Sequence, residues 1–131
     1  MTTAIARRLG LRKNSRLRLI NAPDRYRKRL VPLPDGAKLI HKGHELADVV
    51  HIFARSVSEL RDLVPDALRL SEPGGSFWVS FPKKGSGVKT DLTRDTSWEI
   101  MSELRMHPVA QIAIDNAWSA IRFRRDETGG R

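Results

Sequence analysis

Residues 47–81 read ADVVHIFARSVSELRDLVPDALRLSEPGGSFWVSF, and the fold is decided there. Val49-Val50-His51-Ile52-Phe53 is β-branched and almost continuously apolar, which suits a strand covered on both faces, as in a parallel sheet. Ser56-Val57-Ser58-Glu59 has capping-box spacing, in which each side chain satisfies the other's exposed backbone N–H. Leu60, Val64, Ala67 and Leu68 then recur at helical spacing, and Pro65 is expected to break or kink that helix. Glu72-Pro73-Gly74-Gly75 reads as a turn, and Ser76 to Phe81 as the strongest strand in the chain, with Trp78 and Phe81 in the core. Strand, helix and strand in this order make a parallel crossover unit.

The flanks extend the same pattern. Thr2 or Thr3 can cap a short helix over 4–9, and Gly10 can stop it. Ser15 to Ile20 alternates and then turns apolar, as a first strand would, and Asn21-Ala22-Pro23-Asp24 ends it with turn chemistry. Tyr26, Leu30 and Leu33 predict a short helix from Asp24 to about Val31, stopped before Pro32 and Pro34. Ala37 to His41 reads as a second strand. Downstream, the loop from Pro82 to Lys89 leads to a helix over 92–105, ended by His107-Pro108, whose packed face carries Trp98, Met101 and Leu104. Val109 to Ile114 and Ser119 to Arg124 are two strands joined by so short a connection that they must form an antiparallel hairpin. The prediction is an α/β, three-layer fold with a mainly parallel sheet and a C-terminal antiparallel hairpin. It forms one domain over 1–126, with 127–131 as a frayed tail.

Composition narrows the function classes. The chain has 131 residues, 40% hydrophobic and 30% charged, enough to bury a core and not disordered in character. No cysteine is present, which removes disulfides, thiolate metal sites and a cysteine nucleophile. No apolar run approaches a membrane span and no signal peptide is visible, so a cytoplasmic protein without membrane association is expected. Net charge is +9, and residues 1–29 carry all of it, with ten basic side chains against Asp24 alone. Arg25, Arg27, Lys28 and Arg29 are the densest part and are candidates for contacting nucleic acid. The basic residues alternate with Leu and Ile at core-like spacing, which favours reading them as solvated faces of folded elements.

Asp48-Val49-Val50, the helix after it, Ser71-Glu72-Pro73-Gly74-Gly75-Ser76-Phe77-Trp78-Val79-Ser80 and the closing hairpin together resemble the back half of a class I methyltransferase fold. In that family a Pro-Gly-Gly turn introduces the fifth strand. The chain also resembles a bacterial family of small domains of unknown function, through Leu9-Gly10-Leu11, Asn21-Ala22-Pro23, Pro82-Lys83-Lys84, Ser86-Gly87-Val88, Thr90-Asp91-Leu92-Thr93 and Trp118-Ser119. That likeness implies a fold and no activity. The methyltransferase likeness implies a glycine-rich turn after the first strand, where backbone passes close to adenosylmethionine, and an acidic residue ending the second strand. This sequence has Asn21-Ala22-Pro23-Asp24 and His41-Lys42-Gly43-His44 in those places, with Glu45 and Asp48 nearby.

The carboxyl ends of the strands are where open α/β sheets hold ligands. They collect Asn21 to Asp24, Arg55-Ser56 and the loop Pro82-Lys83-Lys84-Gly85-Ser86-Gly87-Val88-Lys89-Thr90-Asp91. Two glycines, three lysines and a following helix N-terminus make that loop the candidate cradle for a phosphate or another anion, though it lacks the Walker spacing. Asp91 or Thr93 is equally placed to cap the next helix. Asp115 and Trp118 read as hairpin-turn residues, or as an acid and a stacking platform beside the loop. His41 and His44 lack helical metal spacing and His51 reads as a core histidine, so no metal, no cofactor and no catalytic residue is expected. The leading expectation is a non-catalytic binding or interaction module with an anionic ligand or a protein partner, as monomer or homodimer. A small enzyme for a nucleotide-like ligand and a non-specific nucleic-acid binder are the alternatives.

Overall fold

A computed structural model describes residues 2–126; the tail expected over 127–131 lies outside the described residues. In chain order the elements are α1 (Ala4–Arg8), β1 (Arg16–Ile20), α2 (Tyr26–Leu30), β2 (Lys38–Leu39), β3 (Ala47–Phe53), α3 (Val57–Arg69), β4 (Ser71–Pro82), α4 (Arg94–Glu103), β5 (Met106–Ala113) and β6 (Trp118–Arg125). They form a six-stranded sheet in the order β2-β1-β3-β4-β6-β5. The first four strands are parallel, β6 runs antiparallel to β4, and β5 closes the edge antiparallel to β6. The expected mainly parallel sheet with its antiparallel hairpin is therefore the observed one.

Alternation along the strands divides the core in two. Val50 and Ile52 of β3 share one face with Phe77, Val79, Phe81, Ile121 and Phe123, beneath Leu60 and Val64 of α3 and Met101 of α4. Val49 and Phe53 share the other face with Leu17, Trp78 and Ala120, beneath Ala6 and Leu9 near α1 and Tyr26 and Leu30 of α2. The result is three layers. Two side chains tie the α1 and α2 layer down. Trp78 donates its indole N–H to the Leu9 carbonyl at 3.0 Å, and the Thr3 hydroxyl accepts from Ala6 N while donating to the Leu30 carbonyl at 2.7 Å.

Five local expectations are corrected. Helix α3 does not break at Pro65 but continues through it, because that residue is exposed and the hydrogen bond it forfeits lies on the solvent side, while buried Leu60, Val64 and Ala67 hold the helix to the sheet. Glu72 to Gly75 is not a turn before the strand but a bulge within β4. Ala47 pairs with Ser71 and Val49 with Ser76, so two steps along β3 match five along β4. Gly75 makes this possible, since a Cβ there would lie 2.5 Å from the Asp48 carbonyl oxygen. Strand β2 shrinks to two residues, Lys38 and Leu39, paired with Arg16 and Leu17 of β1, and the chain bends farther on, where Gly43 has φ +76°. His107 and Pro108 do not end the last helix; they lie in edge strand β5, where a missing N–H is tolerated. Finally, α4 buries Ser97, Ile100 and Met101, leaving Trp98 and Leu104 exposed at 42% and 41%. Arg94 lies over the Trp98 ring, 5.5 Å from its centroid.

Candidate functional site

Two places at the carboxyl ends of the parallel strands can be compared as ligand sites. The first is the crevice where strand order reverses, between β1 and β3. Asn21 sits in the left-handed region, φ +63°, and donates its side-chain amide to the Phe53 carbonyl at 2.8 Å. That bond staples the end of β1 to the end of β3. The Phe53 ring behind it packs against His51, Tyr26 and Trp118, with centroids at 4.3, 4.7 and 5.0 Å. His51 is fully buried, with Nε2 at 2.5 Å from the Ser80 hydroxyl, and burial pushes its imidazole down to about 3. It is neutral, and its Nδ1 and the Tyr26 hydroxyl are buried without a hydrogen-bond partner among the described residues. Burial likewise pushes the Tyr26 hydroxyl up, partly offset by the nearby Arg29 charge.

Charges rimming this end are already engaged. Asp115 accepts from Ala117 N at 2.8 Å and Trp118 N at 2.9 Å, and its other oxygen meets Arg29 at 2.9 Å. Burial raises the Asp115 carboxyl, but those hydrogen bonds and Arg29 outweigh it and hold the group below the usual carboxylate range. Arg55 covers the Trp118 ring at 5.4 Å, and Trp118 is 8% exposed.

The second place is a cleft of about 1120 Å³ beyond the end of β4. Buried Phe81, Pro82 and Leu92 give it an apolar wall, and Lys83, Lys84, Lys89 and Arg94 give it charge. Gly85 and Gly87 take φ +85° and +90°, conformations that a side chain would strain, and so set the path of the loop. Lys83 N donates to the Ala117 carbonyl at 2.8 Å, which pins the loop's start to the β5–β6 turn. Asp91 accepts from Val57 N at 2.9 Å, so it serves the N-terminus of α3. Helix α4 is capped by Thr93, whose hydroxyl accepts from Thr96 N while Thr93 N donates back to the Thr96 hydroxyl.

Of the residues singled out in the sequence, Lys83, Lys84, Gly85, Lys89, Thr90 and Asp91 line the cleft together. Ser86 and Gly87 belong to the same loop without lining it, Asn21 and Asp24 lie at the switch point, and Asp115 and Trp118 lie in the hairpin turn. Arg25, Arg27 and Lys28 are exposed in or beside α2, while Arg29 is spent on Asp115 and on the Tyr26 ring. Arg94 and Gln111 also line the cleft. Gln111 reaches it from β5, which no local sequence signal reveals. Among the described residues no group of three His, Asp or Glu side chains gathers for a metal, and no helix is long and apolar enough to cross a membrane.

No family model matches the sequence, and no curated protein matches it. Solved structures match the fold. DhpI, solved as a complex with SAH, superposes with a TM-score of 0.65 at 10% identity, over 94% of this chain and 82% of that one. A possible exported protein from Bordetella parapertussis gives 0.63 at 11% identity, over 94% and 66%. The glycopeptide N-methyltransferase MtfA, complexed with (S)-adenosyl-L-methionine, gives 0.56 at 13% identity, over 96% and 88%. At these identities the likeness shows a methyltransferase-like fold.

Proposed function

We propose that this chain is a ligand-binding module on a methyltransferase-like scaffold, taking a small phosphate-bearing ligand in the cleft beyond β4. The supporting observation is the cleft itself, in which Lys83, Lys84, Lys89 and Arg94 surround an apolar wall. Its volume is ample for a small molecule, since ligand sites usually enclose roughly 300–1,000 Å³. An apolar wall with convergent cations suits a ligand that has an anionic head and an apolar body. No histidine lines the cleft and its one carboxylate, Asp91, is committed to the Val57 N–H, which favours binding over acid–base chemistry.

DhpI and MtfA were solved with SAH and adenosylmethionine, but the residues at this chain's switch point do not fit that cofactor. Asn21 spends its amide on the Phe53 carbonyl, Ala22 and Pro23 stand where a glycine turn would let backbone approach, and the end of β2 runs into His41-Lys42 instead of a carboxylate. A thermal-shift panel of pyrophosphate, nucleotides, phosphosugars and SAH tests the reading. A ligand at 100 times its Kd adds about 2.7 kcal/mol, a clear rise in Tm for a domain of this size. The expected result is a shift with at least one phosphate compound, lost in Lys83→Ala/Lys84→Ala. A shift with SAH alone, or none with any phosphate compound, overturns it.

A further inference from the structure

The opposite end of the sheet holds a second concentration of positive charge, built from segments far apart in sequence. The loop after α1 brings Arg12 and Lys13, β6 brings Arg122 and Arg124, and the β4 bulge closes a groove of about 480 Å³ between them. None of these four cations makes an ion pair among the described residues. The groove's two carboxylates do not quench them, because both are taken by Arg16. That guanidinium lies 3.0 Å from Asp48 and 3.1 Å from Glu72, and Arg16 N also donates to Asp48 at 2.9 Å. The hydrogen bond from Arg16 holds the Asp48 carboxyl below the usual carboxylate range.

We propose that this groove binds the phosphate backbone of double-stranded nucleic acid, without reading its sequence. Four cations that have no ion-pair partner among the described residues fit a polyanion that presents phosphates at regular intervals. Nothing beside the groove suits the other polyanions. A single strand calls for exposed rings on which bases stack, yet no aromatic side chain among the described residues lines the groove, and Tyr26, Phe53, Trp78 and Trp118, which pack on this face of the sheet, are all buried. An anionic membrane calls for apolar side chains to insert, yet the large exposed ones among the described residues, Val31, Val88, Trp98, Leu104 and Val109, do not line it. Arg25, Arg27 and Lys28 are not part of the groove, so the assignment differs from the one that charge density along the sequence suggests. It is also independent of the cleft beyond β4.

Fluorescence anisotropy of a labelled DNA duplex of about 20 base pairs, titrated from roughly 50 to 200 mM salt, tests the proposal. Four neutralised phosphates at about −0.9 each predict a slope of log affinity against log salt near −3 to −4. Arg122→Ala/Arg124→Ala should make that slope shallower by about two and weaken binding roughly tenfold or more at the lower salt. Arg12→Ala/Lys13→Ala, on an exposed loop where folding is not at stake, should do the same. Lys83→Ala/Lys84→Ala should leave duplex binding in place. The proposal is overturned if the duplex does not bind, or if both groove variants keep the parent slope. It is equally overturned if Arg25→Ala/Arg27→Ala/Lys28→Ala alone abolishes binding, or if a single strand or phosphatidylserine vesicles bind more tightly than the duplex.

Discussion

The switch-point crevice and the cleft beyond β4 open on the same edge of the same sheet, and they are built in opposite ways. At the crevice, side chains point inward and find one another: Asn21 reaches the Phe53 carbonyl, Phe53 stacks on His51, and Trp118 closes over Phe53 beneath Arg55. At the cleft, cations stand around an apolar wall with no carboxylate paired to Lys83, Lys84 or Lys89 among the described residues. Topology says where a ligand can sit in an open α/β sheet, but the side chains decide whether the place is used for cohesion or for binding. In this chain, on the function proposed above, the first serves cohesion and the second serves binding.

The largest effect should come from removing the crevice's filling. Phe53→Ala takes a fully buried ring from a site packed on three sides and should cost about 3–5 kcal/mol in urea unfolding, with the cleft's ligand affinity unchanged for the folded fraction. A loss under about 1 kcal/mol would mean the crevice is not packed as described.

Acid titrates the same filling. Burial lowers the native pKa of His51 to about 3, against an ordinary value of 6.5. Below pH 6.5 the unfolded chain therefore takes up a proton that the native state refuses, and stability falls as pH falls until the native pKa is reached. The slope should approach about 1.4 kcal/mol per pH unit, and it should be seen between roughly pH 6.5 and 5, before the carboxylates contribute. His51→Gln should flatten that window; an unchanged slope would assign it to another group.

Asp91 links the cleft to α3 through one hydrogen bond, so Asp91→Ala should cost about 1 kcal/mol in the same unfolding assay. The smallest effect is expected at Asn21. Asn21→Gly loses one amide hydrogen bond but relieves a left-handed backbone, so stability should change by less than about 1 kcal/mol. Isothermal titration with SAH should remain flat in that variant, since Ala22, Pro23 and His41 still occupy the place. Heat from SAH binding would show that Asn21 alone was the obstacle.

The mainly parallel sheet and its layers were legible because Val49 to Phe53 and Ser76 to Phe81 are apolar runs suited to strands covered on both faces, with a helical pattern between them. Local chemistry misled where tertiary placement outweighs it. Pro65 is tolerated because it faces solvent, Glu72 to Gly75 loops out of a strand that continues, and Trp98 lies one position off the buried stripe of α4. The basic loop was legible because its lysines and glycines are neighbours in sequence. The staple from Asn21 to Phe53, the bond from Asp91 to Val57 and the meeting of Arg12 with Arg124 each join residues more than thirty apart, and only the sheet order brings them together.

The most direct test of the division between a closed crevice and an open cleft is amide chemical-shift mapping on the intact chain, titrated with pyrophosphate and separately with SAH. Pyrophosphate should move the amides of Lys83 to Arg94 and Gln111 while Asn21, His41 and Arg55 stay fixed, and SAH should move nothing at the switch point. Saturable shifts at Asn21, Ala22 and His41 with SAH, with the 83–94 loop silent to pyrophosphate, would contradict it.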